Sequence, residues 1–105
     1  MVIAVFSNSP KNLRNKIIQT LKDDDRKSWN TKIKSNKEYF YHVGQENQWE
    51  DILLSVDILK NSTVVITTKS NLNSVKDKEC YVIGRCIEML LRHINEINNI
   101  GIIKQ

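Results

Sequence analysis

The chain has 105 residues, 40% hydrophobic and 27% charged, with only 3 Gly and 1 Pro. That length admits one domain with its own core and excludes two comfortable domains, and so few Gly and Pro argue against long linkers or disorder. The formal net charge is +4, and no apolar stretch approaches the roughly 18 residues that a membrane-spanning helix needs.

Met1 to Phe6 is a short apolar run. No basic segment precedes it and no small-residue cleavage site follows, so it predicts a buried strand and not a signal peptide, and with it a cytoplasmic protein. Ser7-Asn8-Ser9-Pro10 then switches the chain into a helix over 10–23, with Ser9 as N-cap and Pro10 at the first helical position. Leu13, Ile17, Ile18 and Leu21 give it an apolar face. Asp23-Asp24-Asp25 oppose the negative end of the helix dipole and end it.

Trp29 to Lys34 alternates Trp29, Thr31 and Ile33 with Asn30, Lys32 and Lys34, the pattern of a half-buried strand. Ser35-Asn36-Lys37 reads as a turn. Glu38 to Val43 follows as a second strand, with Tyr39, Tyr41 and Val43 on one face and Phe40 and His42 on the other. Gln48 to Leu59 fits two periods. Ile52, Leu54, Val56 and Ile58 alternate as in a strand, while Trp49, Ile52, Leu53 and Val56 fit a helical stripe. The turn at Lys60-Asn61-Ser62 and the β-branched run Thr63 to Thr68 favour a second hairpin.

The clearest helix spans 75–98. Ile83, Ile87, Leu90, Ile94 and Ile97 recur at helical spacing, widened by Cys86 and Leu91, and Asn98, Asn99 and Gly101 stop it. Glu88 and Arg92 stand at i,i+4 in the favourable order. The predicted fold is thus one α+β domain over 1–105: a β-α-β-β-β-β-α two-layer sandwich, mostly antiparallel, with two helices on one face of about five strands.

The last helix carries a pattern: Tyr81-Val-Ile-Gly84-Arg85-Cys-Ile-Glu88-Met-Leu90-Leu91-Arg92-His93. With Trp29, Tyr39-Phe40-Tyr41-His42, Gln48-Trp49 and the Leu59–Ile66 hairpin, it resembles a family of small uncharacterised bacterial proteins sharing a Trp…Tyr-x-x-His…Gln-Trp…Tyr-x-x-Gly-Arg-x-x-Glu-x-Leu-Leu pattern. The likeness covers most of the chain at loose spacing. It implies the fold and a bacterial or mobile-element origin, and no activity. This chain has Ile83 where the family places a His before the Gly, so any role of that His does not carry over.

Catalytic signatures are weak. Cys80 and Cys86, six apart, would lie about 9 Å apart along one helix, beyond disulfide reach, and they lack zinc-knuckle spacing, so free buried thiols are expected. His42 and His93 are the only histidines and could serve as an acid–base pair only if the fold brought them together. Glu50 and Asp51 are adjacent and would diverge on a strand. Gly-rich phosphate loops and Ser-His-Asp patterns are absent, and no cofactor or metal is expected.

Binding residues remain. Arg85 and Arg92 share a helix face, as a salt-bridged surface pair or as anchors for a carboxylate or phosphate. Gly84 beside them signals either close approach of the helix to the sheet or space for a ligand. Trp29, Tyr39, Phe40 and Tyr41 interleave with Lys32, Lys34 and Lys37, as core packing or as a stacking platform for single strands. The charge is uneven: nine Lys/Arg against four Asp/Glu over 1–44 give +5, and seven against eight over 45–105 give −1.

These features lead to a non-enzymatic protein-binding module, for example a toxin immunity or inhibitor protein, with Arg85, Arg92, His42, Tyr39, Tyr41 and Trp49 as candidate binding residues. A protein partner is expected and no membrane. The alternative is a small basic nucleic-acid-binding or regulatory protein; the sequence leaves monomer and homodimer open.

Overall fold

A computed structural model describes residues 1–23, 28–43, 52–59, 62–70 and 76–103. Its elements run β1 (Val2–Phe6), α1 (Pro10–Lys22), β2 (Trp29–Lys34), β3 (Lys37–His42), β4 (Ile52–Ile58), β5 (Val64–Ser70), α2 (Lys76–His93) and β6 (Asn99–Ile103). The strands form one sheet in the order β2-β3-β4-β5-β1-β6, every neighbouring pair antiparallel. This is the predicted α+β sandwich with one strand more.

Alternation along each strand sorts the side chains. Ile3, Val5, Phe40, Leu54, Val64 and Ile66 turn to one face, where both helices pack. Leu13, Ile17 and Leu21 of α1 stand four apart and are essentially fully buried there. Each contributes roughly 1.5–3 kcal/mol of apolar burial. Val82, Ile83, Cys86 and Leu90 do the same for α2. On the opposite face Tyr39, Tyr41 and Leu53 form a smaller cluster. The 52–58 segment is a strand, as its strict alternation predicts.

Pro10 opens α1, but Ser9 caps it with its backbone: the Ser9 carbonyl accepts from Leu13 N–H at 2.9 Å, and its hydroxyl makes no cap bond. The β2-β3 turn places Ser35 (φ 52°) and Asn36 (φ 64°) in the left-handed region, the geometry of a two-residue type I′ hairpin.

Three expectations need correction. First, β2 is an edge strand and only Trp29 of its apolar trio is buried; Thr31 is exposed and Ile33 is 74% exposed. Ile33 stands opposite Glu38, near the hairpin tip. Second, α2 ends at His93. The Ile94 N–H still bonds to the Leu90 carbonyl at 3.0 Å, and the chain then turns. Ile94 and Ile97 keep the helical spacing only because the turn buries them against the same core. Third, Asn99 to Ile103, read as helix-stopping sequence, pairs with β1 as β6.

Candidate functional site: the outward face of α2

α2 turns one stripe into the core, and its other stripe follows from the same 3.6-residue period. Tyr81, Gly84, Arg85, Glu88, Leu91 and Arg92 recur at three- and four-residue steps on the solvent side. Tyr81 is 42% exposed and Leu91 65%.

The polar members of the stripe are linked. The Arg85 guanidinium carbon lies 5.3 Å from the Tyr81 ring centroid, and its Nε–H donates to the Tyr81 hydroxyl at 3.2 Å. A second Arg85 nitrogen donates to Glu88 Oε2 at 3.2 Å. Arg92 donates to Glu88 Oε1 at 2.7 Å, the predicted i,i+4 pair. Tyr81 first, and Glu88 after it, push the Arg85 guanidinium above its ordinary value, so it stays charged. One carboxylate serves two guanidinium groups, which leaves the cluster with a net positive charge. All three ionic side chains are about half exposed, so the pairing fixes their geometry more than it adds stability.

The stripe is braced from the sheet. The Tyr81 ring meets the His42 ring edge-on, centroids 5.7 Å apart at 77°, and His42 meets Trp29 at 5.1 Å and 80°. Such edge-to-face pairs contribute about 0.5–1.5 kcal/mol beyond area burial. His42 is buried at the end of β3, so it supports the stripe from behind and offers no surface of its own. His93 lies twelve residues beyond Tyr81 on the same helix, about 18 Å along the axis at 1.5 Å per residue. The fold therefore does not bring the two histidines together.

Gly84 is exposed, and a Cβ built there would meet nothing within 4 Å among the described residues. The reading in which it lets the helix approach the sheet is thereby overturned. Gly in a helix interior costs about 1 kcal/mol against Ala, and internal packing does not explain it here.

The remaining candidates lie on the face of the sheet opposite α1 and α2. Tyr39 and Tyr41 are each 9% exposed, so their rings are not open stacking platforms. The Lys37 and Lys69 ammonium groups stand 5.8 and 5.9 Å from the Tyr39 centroid. Lys32 is opposite Tyr39 and Lys34 is opposite Lys37, so four lysines share this region, one of them also paired with Asp57 at 3.1 Å. Lys69, on β5 beside Leu53, was not legible before the strand register was known. Trp49 lies outside the described residues, as do Glu50 and Asp51.

Among the described residues no group of three or more His, Cys, Asp or Glu is placed to hold a metal ion, and no helix is long and apolar enough to cross a membrane. Protein-family models, curated proteins and solved structures all give no match to the chain.

Proposed function

We propose that this chain is a non-enzymatic protein-binding module that docks its partner on the outward stripe of α2. The observation that carries the reading is Gly84. A helix that spends about 1 kcal/mol on a solvent-facing glycine, with no described residue within 4 Å of where a Cβ would stand, leaves a gap that a partner's side chain can fill. Around that gap stand an exposed tyrosine, an exposed leucine and two ordered arginines. Tyr and Arg are the residue types that dominate binding hot spots, and a braced Tyr81 loses little rotamer freedom on binding.

The stripe's two arginines and the chain's net charge of +4 suit an acidic partner surface. An inhibitor or immunity protein for a toxin, of bacterial or mobile-element origin and acting in the cytoplasm, fits that size and chemistry. The test is affinity capture from the native host with the wild-type chain and with a Tyr81→Ala, Arg85→Ala double variant. The wild type is expected to recover one stoichiometric protein and the variant to lose it. Equal recovery by both, or none by the wild type, removes the reading.

A second reading rests on the lysine face. Lys34 and Lys37 stand directly opposite on neighbouring strands, an arrangement that costs stability. Together with Lys32 and Lys69 they suit a phosphate backbone, without base stacking because both tyrosines are buried. Titration of single-stranded RNA and duplex DNA at low salt tests it. Binding must weaken steeply as salt rises and must fall in a Lys32→Glu, Lys69→Glu variant.

A further inference from the structure

The two edges of the sheet are built differently. β2, at one edge, carries Lys32 and Lys34, the ordinary guard against edge-to-edge pairing. β6, at the other, reads Asn-Ile-Gly-Ile-Ile and is uncharged, as is the chain from Ile97 through Ile103. Ile102 is 60% exposed, and Ile103 and Phe6 beside it are also exposed.

The pairing of β1 with β5 sets the hydrogen-bond phase of this edge. The Thr68 N–H bonds to the Met1 carbonyl, and β1 pairs with β5 as Ile3 with Ile66 and Val5 with Val64. The odd-numbered residues of β1 therefore point their backbone groups at β5 and the even-numbered ones point theirs at β6. Val2 and Ala4 face Ile103 and Gly101. Ile100 and Ile102 are left with their N–H and C=O groups directed away from the sheet. The Ile100 N–H is held by the Asn99 side-chain oxygen at 2.8 Å, which confirms that it turns outward.

The geometry points to a second copy of this chain as the occupant of the β6 edge, in an antiparallel β6–β6 pair centred on Gly101. This register sets Ile100 opposite Ile102 of the other copy, and Ile102 opposite its Ile100. All four outward-directed residues then become hydrogen-bonded pairs. Gly101 meets Gly101 at the two-fold axis as a non-hydrogen-bonded pair, where Cα atoms approach to about 4.5 Å and the absence of side chains removes the clash. The isoleucines pair on the helix side and make the contact self-complementary, as an isologous interface requires. Charge argues for the same occupant: with each copy at +4, the uncharged β6 edge lets two copies meet without lysine facing lysine, which the β2 edge does not.

The area sets the strength. Five residues span about 17 Å of edge, too short to bury the roughly 800 Å² per partner of a stable interface. Forming the pair also displaces the Asn99 cap from the Ile100 N–H. The dimer is therefore weak and concentration-dependent. The two-fold axis is normal to the sheet, so both lysine faces end up on the same side of a twelve-stranded sheet.

Sedimentation equilibrium of the full chain from about 10 μM to about 1 mM tests this, the range in which so small an interface should associate. The wild type should pass reversibly from monomer to dimer. Ile102→Pro removes an outward N–H and leaves β1 pairing intact, so it should raise the dissociation constant at least tenfold, whereas Thr31→Pro on the other edge should leave it unchanged. As an independent readout, Gly101→Cys in a Cys80→Ser background should form a disulfide-linked dimer under mild oxidation, and Asn30→Cys in the same background should not. Among the described residues the added Cβ at 101 meets only Phe6, at an ordinary 3.8 Å, so the cysteine is accommodated. A wild-type chain monomeric throughout the range, association indifferent to Ile102→Pro, or failure of the 101 cross-link would each overturn the assignment. So would capture at this edge of another protein's strand in place of a second copy.

Discussion

The Arg85 guanidinium lies against Tyr81 with its carbon 5.3 Å from the ring centroid, while His42 meets the same ring at 5.7 Å from the sheet side. Tyr81 is thus held between a buried imidazole and an exposed cation. The two contacts have different consequences, because one is inside the fold and the other is not.

Arg85→Ala should leave stability within about 0.5 kcal/mol of wild type, since exposed ion pairs contribute little. Partner capture should nevertheless be lost. His42→Ala should instead cost about 2–4 kcal/mol, because it opens a cavity between Trp29 and Tyr81. Urea unfolding midpoints for the two variants check the contrast. A large loss for Arg85→Ala would place that side chain in the fold and not in binding.

Gly84→Ala should stabilise the chain by about 1 kcal/mol, raising Tm by about 5 °C. The site is exposed, its φ is not positive, and the added methyl meets no atom of the described residues within 4 Å. If the gap receives a partner, a larger residue such as Gly84→Gln should fold normally and lose capture. Calorimetry and the capture assay on the same preparations separate the two effects.

The features legible in the sequence were those set by local periodicity. Leu13-Ile17-Leu21 and Ile83-Cys86-Leu90 fixed the two helices and the faces they bury, and strict alternation from Ile52 to Ile58 outweighed the competing helical stripe. What failed was set by tertiary context. Ile94 and Ile97 continue a helical spacing through a turn because the core, not the helix, demands apolar residues there. Asn99-Ile-Gly-Ile-Ile carries two residues that punctuate helices, and only pairing with β1 makes it a strand. Within the candidate site, Arg85 and Arg92 could be placed on one face by counting. Glu88 follows from the same count, three residues after Arg85 and four before Arg92, whereas His42 standing behind Tyr81 required the packing of α2 over the end of β3.

The hairpin at Ser35-Asn36 should accept a better turn. Both residues occupy the left-handed region, where a serine is strained and glycine is not. Ser35→Asn with Asn36→Gly installs the preferred type I′ pair, so the double variant should gain about 1 kcal/mol with the Lys34–Lys37 register unchanged. Cross-strand NOEs between residues 34 and 37, with a thermal melt, check both parts.

The two cysteines should behave oppositely. The expectation of two buried thiols holds for Cys86 alone: Cys80 is exposed on α2, while Cys86 is fully buried on its core-facing side, where desolvation pushes its thiol up to about 12. Native protein should therefore consume one equivalent of an aromatic disulfide reagent, each reacting thiol forming a mixed disulfide and releasing one aromatic thiolate, and denatured protein should consume two. The same burial makes stability pH-dependent. Below about pH 9 the Cys86 thiol is neutral in both folded and unfolded chains, and its contribution is intact. Above that, the unfolded chain loses the proton while the folded chain keeps it, so the folded state loses ground until the folded pKa is reached. The loss amounts to about 1 kcal/mol by pH 10. Cys86→Ala will be less stable at neutral pH because it leaves a void, yet its stability should fall less between pH 8 and 10 than that of the wild type. Urea titrations of both proteins at the two pH values measure that slope, and equal slopes would show that Cys86 is not the group responsible.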